Sequence, residues 1–391
     1  MEIPVAKRLE GTQEYYFSKK LREVEALNQS EPKIINLGIG SPDLMPPTTA
    51  IDKLSSAVNE EANHGYQSYK GIPALRKSFA EFYSKNYGVH LDPDKEILPL
   101  IGSKEGIVHI SMTYINEGDS VLIPNPGYPA YAAATKLAGG EAIQYDLKEE
   151  NNWIPDLKEI GRRDLSKVKI MWINFPNMPT GTNAPDVFFE ELIQFGKDHN
   201  ILICNDNPYS FILNEKPKSL LAIPGAKEVA LELNSLSKSH NMAGWRMGMV
   251  AAEEHHIQNI MRFKSNMDSG MFLPIQLAAV EALKSDDTWF KAMNETYKKR
   301  RDLVWKILDQ LDCVYKKDQT GLFVWAKAPD HIENVESFVD DILYNARVFV
   351  APGFIFGSNG ERFIRISLCN KSEVLEEALA RINGLRREEV K

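Results

Sequence analysis

The stretch SLSKSHNMAGWRMG (Ser235–Gly248) places one lysine, Lys238, between serines, and it directly follows the apolar run VALELN (Val229–Asn234). That run has the length and composition of a buried strand. If the strand belongs to an open α/β sheet, Lys238 lies at its carboxyl end, where such sheets bind ligands. A lysine there can form a Schiff base with an aldehyde cofactor. The alternative is a solvated surface group, the usual state of a lysine considered alone.

Other apolar runs of strand length alternate with helical patterns along the same part of the chain. Nearly continuous apolar strands predict a sheet that is covered on both faces. The helical pattern Ala184–Asn200, with Asp186 as its predicted cap, is one of the intervening segments. The alternation predicts an α/β domain with a mostly parallel sheet. The predicted strands are 120–125, 168–175, 201–206, 229–234 and 248–252.

The chain is predicted to form two domains. Residues 47–285 form the large domain, and a long helical pattern, Asp287–Asp312, connects it to a smaller α+β unit. In that unit GLFVWAKA, RVFVAPG and RFIRISL read as strands. The amphipathic stretch YYFSKKLREVEAL joins the first residues to it, so residues 1–46 and 286–391 form the small domain.

Composition narrows the function classes. The net charge of −8 argues against a nucleic-acid partner, because phosphate binding needs a basic surface. No run of 18 apolar residues and no signal peptide are evident, so no membrane partner is expected. Cys204, Cys313 and Cys369 are far apart and form no CxxC metal or redox motif. Reduced core thiols in a cytoplasmic protein are the expectation.

The motif around the lysine resembles that of a known family. The segment carries a serine, any residue, a small residue and a lysine, and then an arginine eight positions after the lysine. This order is similar to the cofactor-lysine motif of class I and II aminotransferases. These enzymes have the PLP-dependent transferase fold type I, an α/β large domain plus a smaller α+β domain. The resemblance implies that Lys238 binds pyridoxal 5′-phosphate (PLP) covalently, and that Ser235 and Arg246 hold its phosphate.

Asp206 and Tyr209 in ICNDNPY stand at the end of a predicted strand. A lone Asp after a strand is more often a turn former or a helix cap. The D-x-x-Y spacing resembles the family's, which implies that Asp206 binds the cofactor ring nitrogen and Tyr209 binds its 3′-oxygen. A buried carboxylate favours the protonated ring that PLP chemistry requires.

Two further segments fit the same resemblance. In LIGSKEG, Ser103 and Lys104 open a helix whose free N–H groups suit a phosphate, although a simple helix cap explains the same residues. In PNPGYPAY, Tyr128 is placed where the family stacks an aromatic ring on PLP; a core aromatic is the alternative.

The substrate side is predicted from RFIRISL and INLGIGSPDL. Arg365 offers a planar, bidentate cation for the substrate α-carboxylate, although it could simply face solvent. The resemblance to the family's substrate strand implies that the backbone of Gly40 approaches the bound amino acid.

The family resemblance also implies a homodimer with shared active sites. In HGYQSYKGIPALR, Tyr66 would contact the phosphate bound by the partner subunit. In SNMDSGMF, Ser269 is a weaker candidate at the same interface. Composition alone does not show the dimer.

One position departs from the family pattern. In NFPNMPTG, Met178 replaces the asparagine that normally donates to the 3′-oxygen, and methionine has no donor. Either Tyr209 holds that oxygen alone, or the neighbouring Asn177 reaches in.

The resemblance implies an aminotransferase that moves an amino group between an amino acid and a 2-oxo acid by a ping-pong mechanism. Its motifs look most like those of the LL-diaminopimelate aminotransferase branch, and aspartate is expected to be a poor donor. A PLP-dependent C–S β-lyase on the same fold is the alternative. A PLP-binding regulator fused to a DNA-binding domain is disfavoured, because no basic stretch is present.

Overall fold

A computed structural model describes residues 3–9 and 16–389 of the chain. Its largest sheet has seven strands, in the order β2–β8–β7–β6–β5–β3–β4. All pairs from β7 to β4 are parallel, whereas β8 runs antiparallel to both its neighbours. The strands are β2 (Ile97–Leu100), β3 (Ser120–Asn125), β4 (Glu141–Asp146), β5 (Val168–Ile173), β6 (Leu202–Asp206), β7 (Ala230–Ser235) and β8 (Gly248–Ala251).

Both faces of this sheet are buried. On β5, Ile170 and Trp172 join one hydrophobic cluster, while Met171 and Ile173 join the other. Successive side chains of a strand point to opposite faces, so each face has its own core. The prediction of a mostly parallel sheet covered on both sides is confirmed.

Helices connect the strands and flank the sheet. Among the described residues they are α1 (Tyr16–Leu27), α2 (Thr48–Ala57), α3 (Pro73–Tyr87), α4 (Ser103–Tyr114), α5 (Ala130–Leu137), α6 (Leu157–Ile160), α7 (Asp186–His199), α8 (Leu236–Ser239), α9 (Glu254–Lys264), α10 (Leu273–Ala282), α11 (Asp287–Gln310), α12 (Val335–Asn345) and α13 (Ser372–Glu389).

A second, antiparallel sheet follows the long helix α11, in the order β12–β13–β10–β9. Its strands are β9 (Val314–Tyr315), β10 (Phe323–Lys327), β12 (Ala351–Pro352) and β13 (Phe363–Ser367). The N-terminal strand β1 (Ile35–Asn36) pairs in parallel with β11 (Val348–Phe349). This pairing ties the first residues to the C-terminal part and supports the two-domain division, whose boundaries remain a prediction.

The sequence prediction is wrong at one helix cap, and it omits two strands of the large sheet. Asp186 is the first residue of α7, Pro185 holds the cap position, and no side chain caps that end. The omitted strands are β2, which contains Pro99, and β4, which has exposed polar residues. A proline and a polar edge both weaken the apolar strand signal.

Within the described residues, every helix is too short or too polar to cross a bilayer.

Candidate active site

The sheet brings the predicted residues to one edge. The carboxyl ends of β5, β6 and β7 lie together, and the amino end of antiparallel β8 lies beside them. This edge opens into a cavity of about 570 Å³. The predicted site residues that line it are Gly40, Ser103, Lys104, Tyr128, Asp206, Tyr209, Ser235, Lys238, Arg246 and Arg365.

Lys238 lies in the short helix α8, directly after β7. Its Nζ donates to the carbonyl of Gly40 at 2.5 Å. Burial lowers the pKa of this amine, and the positive charges of Arg365 and Arg246 lower it further. A larger fraction of the amine is therefore neutral than for a lysine in water, which a nucleophile or a proton acceptor requires.

Position 40 requires a glycine because of its close contact with Phe323. A Cβ atom there would lie 2.0 Å from Cζ of Phe323, which is too close for any larger residue. The segment that carries Gly40 therefore packs directly on the ring of Phe323.

Asp206 is a buried carboxylate, and one of its two oxygens accepts no hydrogen bond from the described residues. Its Oδ2 accepts a hydrogen bond from the hydroxyl of Tyr131 at 3.0 Å, and its Oδ1 has no partner. Burial raises the pKa of Asp206 to about 7, and the hydrogen bond from Tyr131 opposes that rise. A cation at Oδ1 would favour the ionised form and satisfy the vacant oxygen.

Tyr131 is itself rigidly held. Its ring stacks on Trp172, with centroids 5.0 Å apart and planes 8° from parallel. Burial raises the pKa of Tyr131 well above its ordinary value, so its hydroxyl remains a donor to Asp206.

A second part of the cavity lining is suited to an anion. Helix α4 begins at Ser103, and its N-cap, Gly102, has a φ of +83°. A Cβ atom on Gly102 would lie 2.2 Å from an Nη2 atom of Arg246. The turn therefore brings a guanidinium against the free N–H groups of a helix start, an arrangement that suits a phosphate.

The two serines before Lys238 belong to the same part of the lining. Ser235 caps α8 by accepting from the N–H of Ser237, and its hydroxyl donates to the carbonyl of Met247 at 3.3 Å. Ser237 also lines the cavity, and its Oγ accepts from Arg246 at 3.4 Å.

Two tyrosines, Tyr128 and Tyr209, line the cavity. Tyr128 is half-buried and makes an edge-to-face contact with Tyr131, with centroids 5.7 Å apart. Burial raises the pKa of Tyr209, so its hydroxyl is neutral and can donate.

Arg365, on β13, projects into the cavity from the small sheet. It is 5% exposed, its Nη2 donates to the carbonyl of Gly38 at 2.8 Å, and its Nη1 lies 3.1 Å from Sδ of Met178. Its guanidinium carbon lies 3.8 Å from the ring centroid of Phe323 and 4.5 Å from that of Phe356. The cation is thus held between aromatic rings at the cavity wall.

In NFPNMPTG, the methionine that replaces the family's asparagine lies at the cavity. Met178 lines the cavity, whereas Asn177 does not. Asn177 is buried, and its Oδ1 accepts from the hydroxyl of Thr180 at 2.8 Å. The asparagine of this segment that lines the cavity is Asn174. Its Nδ2 donates to the main-chain carbonyl of Asp206 at 2.5 Å.

The residues predicted for a subunit interface lie outside the cavity. The side chain of Tyr66 is 93% exposed, and Ser269 is also exposed. Neither lines the cavity within one chain.

The sequence reasoning missed several lining residues. Asn174 directly follows β5, and that position is the signal that could have identified it, whereas Tyr131 is the second residue of α5 and carries no such signal. Ile39 stands in INLGIGSPDL beside Gly40, whereas no motif marks the lining residues from α1, from β10 and from the helical turn 353–356: Phe17, Ser18, Leu21, Phe323 and Phe356.

These groups fit PLP. The cup around Gly102 and Arg246 suits its phosphate, the vacant Oδ1 of Asp206 suits a cationic ring nitrogen, and the Lys238 amine suits its aldehyde. The position of Arg365 suits a substrate carboxylate beside it.

The chain is similar to known proteins over nearly its whole length. The family model for aminotransferase class I and II matches residues 32–382. The LL-diaminopimelate aminotransferase of Dehalococcoides mccartyi is 41% identical over 98% of this chain and 99% of its own. That of Halothermothrix orenii is 41% identical over 97% and 98%. The substrate-bound structure of BacF from Bacillus subtilis has a TM-score of 0.92 and 36% identity, covering 98% of both chains.

Proposed function

We propose residue roles on one premise: the chain belongs to the class I and II aminotransferases. It is a PLP-dependent transaminase that acts on amino acids. The single observation that carries our assignment of its site is the convergence of Lys238, Asp206 and Arg365 on one cavity.

The chain's own residues would hold the cofactor at its phosphate and at its ring. The N–H groups of Ser103 and Lys104, the hydroxyls of Ser235 and Ser237, and the guanidinium of Arg246 would hold the phosphate. The residues for the ring are Asp206 at its nitrogen, Tyr209 at its 3′-oxygen and Tyr128 against its face.

When bound, PLP accepts the amino group and withdraws electrons from the substrate α-carbon. Lys238 would anchor the cofactor covalently between turnovers. Once released, its amine would take the proton from the α-carbon and return it on the cofactor side, as a general acid and base. The lowered pKa of Lys238 supports this role, since it increases the neutral fraction that can accept a proton.

Amino transfer tests this assignment. The holoenzyme is incubated with pairs of amino acids and 2-oxo acids, and both products are quantified. Parallel double-reciprocal plots are expected, because the amino group passes through the enzyme. Release of pyruvate and ammonia from a cysteine conjugate, without amino transfer, would instead support the β-lyase.

Arg365→Lys is expected to weaken substrate binding, because a point charge replaces a planar fork. One lost charged hydrogen bond costs about 1.5–3 kcal/mol, roughly 10- to 100-fold in apparent affinity. The measured quantity is the donor concentration at which the rate of amino transfer from the donor to the cofactor is half its maximum. An unchanged value for every donor would place the carboxylate elsewhere.

We also propose a homodimer, supported by an exposed patch on one face. The patch consists of Tyr66, Tyr69, Met267 and Phe272, which are 93%, 44%, 57% and 43% exposed. The ring of His64 lies 5.9 Å from that of Phe272, so the two segments that carry the patch are adjacent. A cluster of exposed apolar side chains on adjacent segments is typical of a protein–protein interface.

Tyr66→Phe tests whether the partner subunit completes the site. The expected result is a dimer by sedimentation equilibrium that binds PLP roughly 10-fold more weakly, because one hydrogen bond to a charged phosphate is lost. Full activity of a wild-type monomer would contradict the shared site.

We further infer that the protein works in a reducing compartment such as the cytoplasm. Its three cysteines are buried and unpaired, which supports this location.

The names of the two relatives make LL-diaminopimelate a candidate donor, since each is about 41% identical to this chain. This molecule carries a second amino group and a second carboxylate at its far end.

A further inference from the structure

A cluster of polar side chains joins helix α4 to the end of α9 and the segment after it. It consists of Glu105, His109, Lys264 and Asp268; His109 and Lys264 are fully buried, and both carboxylates are mostly buried. One side-chain atom each of Glu105, His109 and Asp268 lies within 4.8 Å of the other two. Nζ of Lys264 donates to both carboxylate oxygens of Asp268, at 2.7 and 2.6 Å. Buried neighbours therefore hold both carboxylates in place.

Glu105 fixes the turn that opens the phosphate cup of its own chain. Its Oε2 accepts from the N–H of Ile101 at 2.6 Å, two residues before α4 begins. Its Oε1 lies 3.2 Å from Nε2 of His109, one helical turn further along α4. Glu105 is not among the residues that line the cavity. It would therefore act on a bound phosphate through the backbone of the turn at Gly102.

Asp268 fixes a second turn, beyond the end of α9. Its Oδ1 accepts from the N–H of Gly270 at 2.9 Å. Gly270 has a φ of +85°, and a Cβ atom there would lie 2.5 Å from the carbonyl oxygen of Gln67 and 2.9 Å from that of Ser68. This turn therefore packs directly on the backbone that follows the exposed Tyr66.

Gln276 joins the same two segments at a further point. Its side chain is fully buried, and its Oε1 accepts from the N–H of Ile72 at 2.8 Å. Its Nε2 donates to the carbonyl of Met271 at 2.7 Å. The path of residues 66–72 thus depends on the turn that Asp268 holds, and so does the position of Tyr66.

We infer that this buried cluster positions both of the phosphate contacts that one chain makes in the dimer. Glu105 positions the cup of its own site. Asp268 positions the segment that carries Tyr66 to the phosphate bound by the partner subunit. Both are positioning residues, because each acts through the backbone of a turn. The inference rests on the proposed homodimer and on the contact assigned there to Tyr66.

Mixed dimers separate the two roles. One chain carries Lys238→Ala and is silent, because it cannot bind PLP covalently, whereas the other chain is live. The visible absorption of covalently bound PLP then reports only the live site. The cup of that site comes from the live chain, and its Tyr66 comes from the silent chain. The measured quantity is the PLP concentration that gives half of the full absorption.

Asp268→Ala is combined with Lys264→Met, so that no buried ammonium is left unpaired. In the silent chain this double substitution is expected to raise the half-saturating PLP concentration at least ~3-fold, and in the live chain less than ~2-fold. Lys264→Met with Asp268→Asn is the matched control. Asparagine lacks the charge but keeps an oxygen for the N–H of Gly270, so this control should stay within ~2-fold in either chain.

Glu105→Ala is expected to show the opposite pattern. It should raise the half-saturating PLP concentration at least ~3-fold in the live chain and less than ~2-fold in the silent chain. Glu105→Gln should restore most of the loss, because its amide oxygen can still accept from the N–H of Ile101. Losses that follow the live chain for Asp268→Ala, or the silent chain for Glu105→Ala, would overturn the inference.

Tyr66→Phe in the silent chain completes the test. Once that hydroxyl is gone, the Asp268→Ala double substitution should add less than ~2-fold, because it acts through the same contact. Gln276→Met in the silent chain is a second probe of the segment, with an expected loss of at least ~3-fold, should the Asp268→Ala chain fail to fold. An effect of Tyr66→Phe without one from Asp268→Ala or Gln276→Met would reject this inference alone. No effect of Tyr66→Phe would reject the proposed shared site and the inference with it.

Discussion

Lys238→Ala is expected to abolish turnover and the covalent bond to the cofactor. Its amine lies in the cavity that Asp206 also lines, and the same group would move the proton at the α-carbon. General acid–base catalysis alone contributes about 10²–10⁴-fold, so we expect kcat to fall by more than ~10⁴-fold when the anchor is lost as well. Steady-state turnover and the visible absorption of the bound cofactor measure the two effects.

The fold should survive this substitution, because removing a buried amine leaves no uncompensated charge. Circular dichroism and sedimentation should match the wild type. Lys77→Ala, on the exposed face of α3, is the matched lysine control and should retain full activity. Turnover of Lys238→Ala near that of Lys77→Ala would reject the assignment of Lys238.

Asp206→Asn is expected to cause the second largest loss, on the order of 10²–10³-fold in kcat. Asparagine has the same shape, but it lacks the charge that would favour a protonated ring nitrogen. The affinity for PLP should fall too, since the vacant Oδ1 is the ionic contact we assign to the ring. Fluorescence titration of the PLP-free enzyme measures that affinity independently of turnover.

Tyr131→Phe provides a graded companion to Asp206→Asn. It keeps the carboxylate and removes only its donor at 3.0 Å, so a smaller loss is expected.

The PLP-free Asp206→Asn protein should unfold at or above the wild-type temperature at neutral pH, because a carboxyl group whose pKa burial raises is costly to ionise there. PLP affinity and kcat of Asp206→Asn within threefold of the wild type would contradict the role assigned to Asp206.

Much of the fold and of the cofactor site could be predicted from the sequence, because both follow strong local patterns. Apolar runs identified five of the seven strands of the large sheet. Parallel strands bring their carboxyl ends to one edge, so Asp206, which ends one strand, and Lys238, which follows the next, had to lie near each other.

The remaining features depend on contacts between distant segments. Nothing local indicates that Phe17 in α1 reaches the cavity, since this follows from the packing of α1 on α12 and the small sheet. A shift of one position separates Met178, which lines the cavity, from Asn177, which is turned into the loop by Thr180. The backbone conformation of that loop determines which of the two side chains faces the cavity.

The position of Tyr66 illustrates a different limit. Its exposure fits the proposed contact with a partner subunit, but that contact lies outside a single chain. The family resemblance, rather than any property of the segment itself, assigns it a role.

The most direct test of the central claim is to locate the covalent cofactor bond. Borohydride treatment of the PLP-loaded enzyme would reduce the carbon–nitrogen bond to a stable amine, and proteolysis followed by mass spectrometry would identify the modified peptide. We predict one phosphopyridoxyl group per chain, on Lys238 and absent from Lys238→Ala. A stoichiometric label on any other lysine, or no label on a PLP-saturated enzyme, would contradict the account.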